Sequence, residues 1–291
     1  LISGNTVVLK PASATPLTNL KLASLLGEAG LPAGVLNLVT GPGSVVGEAI
    51  AGHPEIRKLS FTGESGTGKR VAALSAPTLK RLTLELGGSD PMIVCDDAEL
   101  EIAVDGVLRG RFYNCGQTCT AVKRLYLFEG IAEEFLGLLE RKVRNFRVGN
   151  GMLDGIDMGP LNNEVQRDYV TELVRGVEEH EEGKILTGGK VPSGEGYSEG
   201  YFFEPSLITD VSPGSRLLKE EVFGPVLPVV RVRDMDEAID EANRTRYGLG
   251  ASVWTKNIDR VRQAYDELEA GTVWVNQHMK VAPELPFGGT K

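Results

Sequence analysis

The sequence is poor in the features that mark disulfide-bonded, membrane-spanning or nucleic-acid-binding proteins. It has three cysteines among 291 residues, an odd and sparse count that does not suit a disulfide framework. No apolar run is long enough to cross a bilayer, and the first residues do not resemble a secretory signal. The net charge of −9 argues against a basic face for nucleic acid. We therefore expect neither nucleic-acid nor membrane partners, and the free thiols predict a reducing, cytoplasmic location.

What the sequence does contain is a regular alternation of strand and helix patterns, over a length that suits about two domains. Strands are predicted over residues 6–10, 35–39, 56–62, 91–95 and 124–128. Helices are predicted over residues 17–29, 101–111 and 131–147, and after an N-cap at Ser44. This alternation predicts an α/β fold with parallel sheets, and a new unit that begins after Leu86 divides the chain into domains 1–86 and 87–291.

The glycine-rich stretch from Gly63 to Lys69 admits three interpretations. It fits the G-x-x-x-x-G-K pattern and follows a predicted strand, as the phosphate-binding loop of a nucleoside triphosphatase does. That pattern needs Ser or Thr next to bind magnesium, whereas Arg70 stands there and cannot ligate a metal. The other two interpretations are a helix N-terminus that binds a dinucleotide pyrophosphate and a tight turn without a ligand.

Six short segments, taken in chain order, resemble the motifs of the aldehyde dehydrogenase superfamily. Three are five or six residues long: LELGG at 84–88, NCGQTC at 114–119 and EEVFGP at 220–225. The other three are KP at 10–11, FTG at 61–63 and PFGG at 286–289. Any one motif is modest evidence, but six in the same order make the resemblance specific, and it runs through the whole chain.

The resemblance implies a fold and a chemistry. Residues 1–86 would supply part of a parallel, Rossmann-like cofactor sheet, and residues 87–291 a second α/β domain that carries the nucleophile. Cys119 matches that nucleophile, whose thiolate attacks the aldehyde carbon and is left as a thioester after hydride transfer. Glu85 matches the general base that activates the hydrolytic water, and burial between its apolar neighbours would raise its pKa into a useful range.

The implied cofactor is NAD or NADP, and the matching positions are spread along the chain. Lys10 resembles the residue that reaches the adenosine ribose. Glu221 resembles the one that binds the nicotinamide ribose, with Phe223 beside the ring. The remaining positions expected to line the cofactor are Ser13, Gly43, Thr62, Gly63, Gly68 and Leu86.

Two departures from the family pattern concern the cofactor. Many NAD-using members have Glu at the position of Ser13, and its absence removes repulsion against a 2′-phosphate that Lys10 can pair with. NADP is therefore favoured slightly over NAD. Glu64 stands where Ser is common, so we expect its carboxylate to point away from a pyrophosphate, with Ser65 in its place.

The expected substrate is a small polar or anionic aldehyde. The segments around Cys119 and Phe223 look like the non-phosphorylating glyceraldehyde-3-phosphate branch, other segments look more like succinate-semialdehyde dehydrogenases, and lactaldehyde dehydrogenases are a third possibility. Candidate substrate contacts are Thr118, Thr120, Arg111 and Arg124, with a structural role as the alternative for the two arginines. No metal site is predicted, because Cys115 and Cys119 lack the spacing of a zinc knuckle and no second ligand pair follows.

The resemblance also implies segments that this chain does not include, among them an upstream Asn that completes the oxyanion hole. We expect the 291 residues to belong to a longer protein, a homodimer or homotetramer. Because a lost oxyanion donor lowers the rate on the order of 10²–10³-fold, the piece alone is expected to be nearly inactive. Two other classes stay open, a P-loop NTPase and a non-catalytic homologue.

Overall fold

Short parallel strands and helices alternate over Leu1–Glu85, the first of two units in the computed structural model, which describes residues 1–291. Its strands are β1 (Val7–Leu9), β2 (Leu36–Leu38), β3 (Lys58–Thr62) and β4 (Arg81–Glu85). Its helices are α1 (Leu17–Glu28), α2 (Glu48–Gly52) and α3 (Ser65–Ser75), with a π-helical turn at Gly43–Gly47 and a 3₁₀ turn at Ala76–Thr78. β1 pairs with β2 and β3 with β4, each in parallel. The unit therefore holds two separate parallel pairs, where one sheet was expected.

The apolar core of this first unit is small. Its buried members are Ala51, Leu59 and Val71, from α2, β3 and α3. By contrast, α1 has no buried residue, although its leucines recur at a helical spacing. The unit is thus held together mainly where α2 and α3 cover the β3–β4 pair.

The second unit, Leu86–Lys291, is built around one large sheet. Its strands are β5 (Asp90–Val94), β6 (Val122–Phe128), β7 (Lys184–Thr187), β8 (Ser206–Thr209), β9 (Val226–Val232), β10 (Gly250–Trp254) and β11 (Thr272–Val275). Its helices are α4 (Leu100–Phe112), α5 (Glu129–Arg144), α6 (Glu164–Glu179), α7 (Arg216–Lys219), α8 (Met235–Asn243) and α9 (Ile258–Glu267), with a 3₁₀ turn at Tyr113–Gly116. The strand order is β11-β10-β5-β6-β9-β8-β7, and all pairs are parallel except β7 with β8.

Both faces of this sheet are covered, which explains why its central strands read as continuous apolar runs. Alternate side chains of β6 point to opposite faces. Leu125 and Leu127 join the larger core with α4, α5 and α6, whereas Tyr126 and Phe128 join a smaller core with α8 and α9. Every residue of β5 and β6 is buried. The central strands therefore form a rigid base for the segments that leave their ends.

The α/β class is confirmed, and β5, β6, α4 and α5 each begin within two residues of the predicted position. The predicted cap at Ser44 is wrong. The carbonyl of Pro42 accepts from Val45 and Val46, so Ser44 lies inside the π-helical turn and α2 begins only at Glu48. The chain divides after Glu85, one residue before the predicted boundary.

None of the helices combines the length and the apolar character needed to cross a bilayer. No group of three or more His, Cys, Asp or Glu side chains is arranged to hold a metal ion.

Candidate active site

The segment between α4 and β6 is a strained turn that carries Cys119. Asn114, Cys115 and Gly116 all adopt positive φ, at 52°, 56° and 72°. Left-handed backbone is unfavourable for residues with a Cβ, as Asn114 and Cys115 have. Residues held in such conformations occur at functional sites more often than elsewhere. The third has to be glycine for another reason, because a Cβ on Gly116 would collide with the carbonyl of Gly224. The turn is thus packed directly against the 220–225 segment.

Cys119 is the most accessible cysteine of the chain. Cys95 and Cys115 are buried, whereas Cys119 is partly exposed. Burial raises the pKa of the Cys119 thiol above its ordinary value, and the positive charge of Lys123 acts against that rise. A raised pKa disfavours the thiolate, so a nucleophilic role for Cys119 calls for a base that removes the proton.

The two glycines of the 84–88 motif allow close backbone approaches. A Cβ on Gly88 would lie 2.6 Å from the carbonyl oxygen of Cys119 and 2.9 Å from a carboxylate oxygen of Asp90. A Cβ on Gly87 would collide with the carboxylate of Glu221, which also accepts a hydrogen bond from the backbone N–H of Gly88 at 3.2 Å. Real Cβ contacts are essentially never that short, so both positions require glycine if this arrangement is kept.

Lys123 lies under the nucleophile turn and was not singled out from the sequence. Its side chain is completely buried, and its ammonium group donates to the carbonyls of Thr118 at 2.8 Å and Cys119 at 2.7 Å. The same nitrogen lies 3.3 Å from a carboxylate oxygen of Glu221 and 5.9 Å from the ring centre of Phe223. A Lys in the second position of a buried strand is unusual. This unusual placement is the sequence feature that could have identified Lys123.

Asp90 and His278 complete the buried polar groups in this region. Burial raises the pKa of Asp90 to about 7, and Lys123 opposes that rise. One oxygen of Asp90 accepts from the N–H of Gly250 and the other has no hydrogen-bond partner. Burial lowers the pKa of His278 to about 4. The neutral ring donates from Nε2 to the carbonyl of Thr120, 2.8 Å away, because a carbonyl can only accept.

Arg111 and Arg124, the predicted cations for an anionic substrate, are 0% and 1% exposed. Arg111 donates to the carbonyls of Val122 and Val222, and Arg124 to those of Ser89 and Ala242. Guanidinium groups that satisfy backbone carbonyls hold loops together, so the structural alternative accounts for both. This buried placement favours the structural alternative over contact with a substrate.

Thr118 and Thr120 flank Cys119 but differ in exposure. Thr118 is partly exposed, whereas Thr120 is buried. The carbonyls of both are hydrogen-bonded, to Lys123 and His278 respectively. Within the second unit, Thr118 therefore remains the better candidate for contact with a substrate.

Glu85 is the last residue of β4 and of the first unit. It lies opposite Thr62 in the β3–β4 register, and its carbonyl accepts from the N–H of Gly63. Partial burial raises the pKa of its carboxyl. Leu86, the next residue, opens the second unit. A carboxylate with a raised pKa is a stronger base than an ordinary surface Glu, which suits proton transfer.

Lys10 and Ser13 converge on the turn between β2 and α2. The ammonium of Lys10 donates to the carbonyls of Pro11 at 2.8 Å and Gly41 at 3.2 Å, and the hydroxyl of Ser13 donates to the same Gly41 carbonyl at 3.3 Å. Gly43 opens the π-helical turn that follows. A Lys has three donors, so one N–H of Lys10 remains for a ribose or phosphate oxygen.

The turn from Gly63 to Gly68 corrects the expectation for Glu64. Its carboxylate does not point away from the helix; it caps α3 by accepting from the N–H groups of Gly66 at 2.7 Å and Thr67 at 3.0 Å. An acidic side chain at a helix N-terminus is favoured by the free N–H groups and the helix dipole. These donors therefore already have an anionic partner within the chain.

The same turn does not have the form of a triphosphate-binding loop. Arg70 follows Lys69 and makes a two-pronged ion pair with Glu48 of α2, with contacts of 2.6 and 2.9 Å. A P-loop needs a magnesium-binding hydroxyl at this position and free backbone donors before it. Neither condition is met, so the structure does not favour the P-loop alternative.

The order and context of these motifs agree with a comparison against known families. The model of the aldehyde dehydrogenase family matches residues 1–291. The chain belongs to the aldehyde dehydrogenase family. The matched residues include all six motifs that suggested the resemblance. The alternative of an unrelated nucleotide-binding protein is therefore set aside.

Individual aldehyde dehydrogenases are similar to this chain over its whole length. It is 44% identical to phenylacetaldehyde dehydrogenase of Pseudomonas fluorescens and 44% identical to retinaldehyde dehydrogenase 3 of Rattus norvegicus, covering 57% and 56% of their lengths. A crystal structure of betaine aldehyde dehydrogenase from Staphylococcus aureus in complex with NAD⁺ has a TM-score of 0.94 at 37% identity. That match covers 98% of this chain and 57% of the other. The chain therefore spans a little over half of these relatives.

The predicted branch within the family is not supported. The similar relatives named above are not the succinate-semialdehyde, non-phosphorylating glyceraldehyde-3-phosphate or lactaldehyde enzymes expected from the short segments. The segments of four to six residues around Cys119 and Phe223 suggested that branch. They are too short to identify a substrate.

Proposed function

We propose that the protein carrying this chain oxidises an aldehyde to a carboxylic acid with NAD or NADP, through a thioester on Cys119. The observation that supports this most directly is the partly exposed Cys119 on a strained turn, whose carbonyl is fixed by Lys123 and lies against Gly88. A cysteine held on a rigid support at a fixed position suits a nucleophile, since misplacement by about 1 Å lowers rates on the order of a hundredfold.

The chain's own residues account for the proton and bond changes of such a reaction. Glu85 takes the thiol proton of Cys119, and the thiolate sulfur then forms a bond to the aldehyde carbon. A bound nicotinamide supplies the acceptor for the hydride that leaves this carbon, and a thioester remains on Cys119. Glu85, after releasing its proton to solvent, removes a proton from water. The resulting hydroxide forms the C–O bond as the C–S bond breaks, which restores the thiolate.

The chain has residues that can bind the two riboses of a dinucleotide, but fewer free groups that can bind its phosphates. The remaining N–H of Lys10 and the hydroxyl of Ser13 can serve the adenosine ribose, and the carboxylate of Glu221, which is 17% exposed, can accept from hydroxyl groups. The N–H groups at the start of α3 are occupied by Glu64. A pyrophosphate would therefore have to displace that carboxylate or be held elsewhere.

For the substrate we retain a small polar aldehyde and drop the preference for an anion. The reason is that Arg111 and Arg124, the candidate cations for an anion, are buried and donate to backbone carbonyls. The similar relatives act on chemically diverse aldehydes, as their names state, so the class has to be measured.

A substrate panel tests the proposed function. The full-length protein would be assayed with phenylacetaldehyde, betaine aldehyde and succinate semialdehyde, each with NAD and with NADP, by absorbance of the reduced cofactor and by acid formation. We expect one acid per reduced cofactor with at least one aldehyde. Folded protein that forms no acid from any of them would indicate a non-catalytic homologue.

Ser13 gives a prediction about the cofactor. We expect the unmodified protein to accept NADP with a kcat/KM within about tenfold of that for NAD, because no carboxylate at residue 13 repels a 2′-phosphate. Ser13→Glu should lower kcat/KM for NADP by about tenfold or more and change that for NAD much less. Ser13→Gln, which has the same size without the charge, is the matched control. Initial rates against both cofactors measure this, and an unmodified protein that prefers NAD by more than about tenfold would contradict it.

A further inference from the structure

Lys123 is a buried cation that the proposed chemistry leaves without a role. Taking an ammonium out of water is costly unless it is paired and hydrogen-bonded. The side chain of Lys123 is nevertheless 0% exposed, on a strand that is buried on both faces. A residue kept in so costly a position, 4 residues after the nucleophile, points to a specific function.

The three donors of this ammonium have three acceptors. Two are the carbonyls of Thr118 and Cys119, and the third is the carboxylate of Glu221 at 3.3 Å. The two carbonyls belong to the turn that carries the nucleophile, whereas Glu221 belongs to the segment that contacts Gly87 and Gly88. One cation therefore ties two separate segments together at the position of Cys119.

The electrostatic balance at the sulfur gives Lys123 a second effect. Burial raises the pKa of the Cys119 thiol, Lys123 lowers it, and Asp90 and Glu221 raise it further. The other buried ionisable groups nearby are Arg111, which donates to the carbonyl of Val222, and His278, whose low pKa keeps it neutral. Lys123 is thus the one charged side chain that favours the thiolate.

We propose that Lys123 is a positioning residue for Cys119, which fixes the nucleophile turn through two carbonyls and favours the ionised sulfur while paired with Glu221. This role rests on the proposed function, since it assigns Lys123 to the support of that same thiol. The ring centre of Phe223 lies 5.9 Å from the ammonium, a distance at which the ring can also interact favourably with the cation.

A purely structural role for Lys123 makes a different prediction. Lys123→Met and Glu221→Gln both break the same ion pair, so loss of packing or stability would affect Cys119 in the same direction in both variants. The electrostatic role predicts opposite directions. Removing the cation disfavours the thiolate, whereas removing the anion favours it.

The test is the pH dependence of Cys119 alkylation by iodoacetamide in the full-length protein, followed by mass analysis of the Cys119 peptide. Lys123→Met should raise the midpoint by about one pH unit or more, and Glu221→Gln should lower it measurably. Lys142→Met is the matched control. It removes a lysine that is also paired with carboxylates, Glu101 and Asp105, on a partly exposed helix face, and should leave the midpoint unchanged.

Alkylation needs neither aldehyde nor cofactor, so this outcome is independent of the proposed function. Midpoints that move in the same direction in both variants, or do not move, would overturn the role of Lys123 even if the protein oxidises aldehydes. Conversely, opposite shifts in a protein that forms no acid would uphold the electrostatic role and reject the enzyme. If Lys123→Met does not fold, Lys123→Arg should keep the midpoint near that of the unmodified protein, while Glu221→Gln alone still has to lower it.

Discussion

Replacing Cys119 by Ala should reduce aldehyde oxidation by roughly four orders of magnitude or more, since loss of a covalent nucleophile removes the reaction path itself. The sulfur of Cys119 is the only cysteine sulfur on a partly exposed residue, and no other group in the second unit can form the thioester. The change should alter stability little, because the side chain of Cys119 is small and only partly buried. The measurement is kcat with saturating aldehyde and cofactor, together with the thermal midpoint of unfolding.

Cys115→Ala is the matched control for this change. Cys115 lies four residues earlier in the same turn but is 2% exposed, and burial raises the pKa of its thiol to about 12. Its loss creates a small cavity and should lower stability by about 1 kcal/mol while the activity per folded molecule changes only a few-fold. Equal losses of activity in the two variants would mean that activity depends on the turn as a whole and not on the Cys119 sulfur.

Gly88→Ala should have the second largest effect, because the added methyl group has no room. It would lie 2.6 Å from the carbonyl oxygen of Cys119 and 3.1 Å from Cβ of Leu249, so backbone has to move. Overpacking of this kind costs about 1–3 kcal/mol, which corresponds to roughly 2–10 °C in the thermal midpoint of a domain of this size. We also expect kcat/KM to fall about a hundredfold or more, because the shift displaces the nucleophile.

Two further glycine substitutions separate displacement of the nucleophile from a general effect of alanine. Gly87→Ala would meet the end of the Glu221 side chain, which can move, so its effect on activity should be smaller than that of Gly88→Ala. Gly159→Ala meets nothing within 4 Å and should be neutral. A Gly88→Ala protein with unchanged activity and stability would contradict the close approach between residues 88 and 119.

The fold could be predicted where the apolar pattern alone decides the element. β5 and β6 are buried on both faces, and their apolar runs predicted them to within two residues. The turn between α2 and β2 could not be predicted in the same way, because the bonds of the Pro42 carbonyl replaced the cap expected from Ser44. Local hydrogen-bond competition of this kind does not show in hydrophobic periodicity.

The sequence predicts site residues well where a motif requires a particular backbone arrangement. It does not predict which charged side chains are buried. The motif at 84–88 contains two glycines, and the structure shows that a Cβ at either position would collide with neighbouring atoms. Arg111 and Arg124 were candidate substrate cations with a structural role as the alternative, and both lie in the interior, where they donate to backbone carbonyls. Lys123 was overlooked because its burial is not visible in the sequence and its one carboxylate partner, Glu221, lies about 100 residues away.

Glu64 shows how a local interaction can reverse an expectation about a ligand. Repulsion from a pyrophosphate suggested that its carboxylate points away, but the free N–H groups of α3 bind that carboxylate themselves. An intrachain cap needs no loss of translational freedom, so it forms unless a ligand competes for the same donors. The sequence alone does not say which partner the helix N-terminus takes.

The central claim is that a thioester forms on the sulfur of Cys119. The most direct test is to measure the mass of the Cys119 peptide during turnover. The full-length unmodified protein would be mixed with a reactive aldehyde and cofactor and quenched in acid during the first turnover. We predict that the Cys119 peptide gains the mass of the acyl group, in step with one equivalent of reduced cofactor. Reduced cofactor without any acyl adduct on Cys119, or an adduct on another residue, would contradict the account.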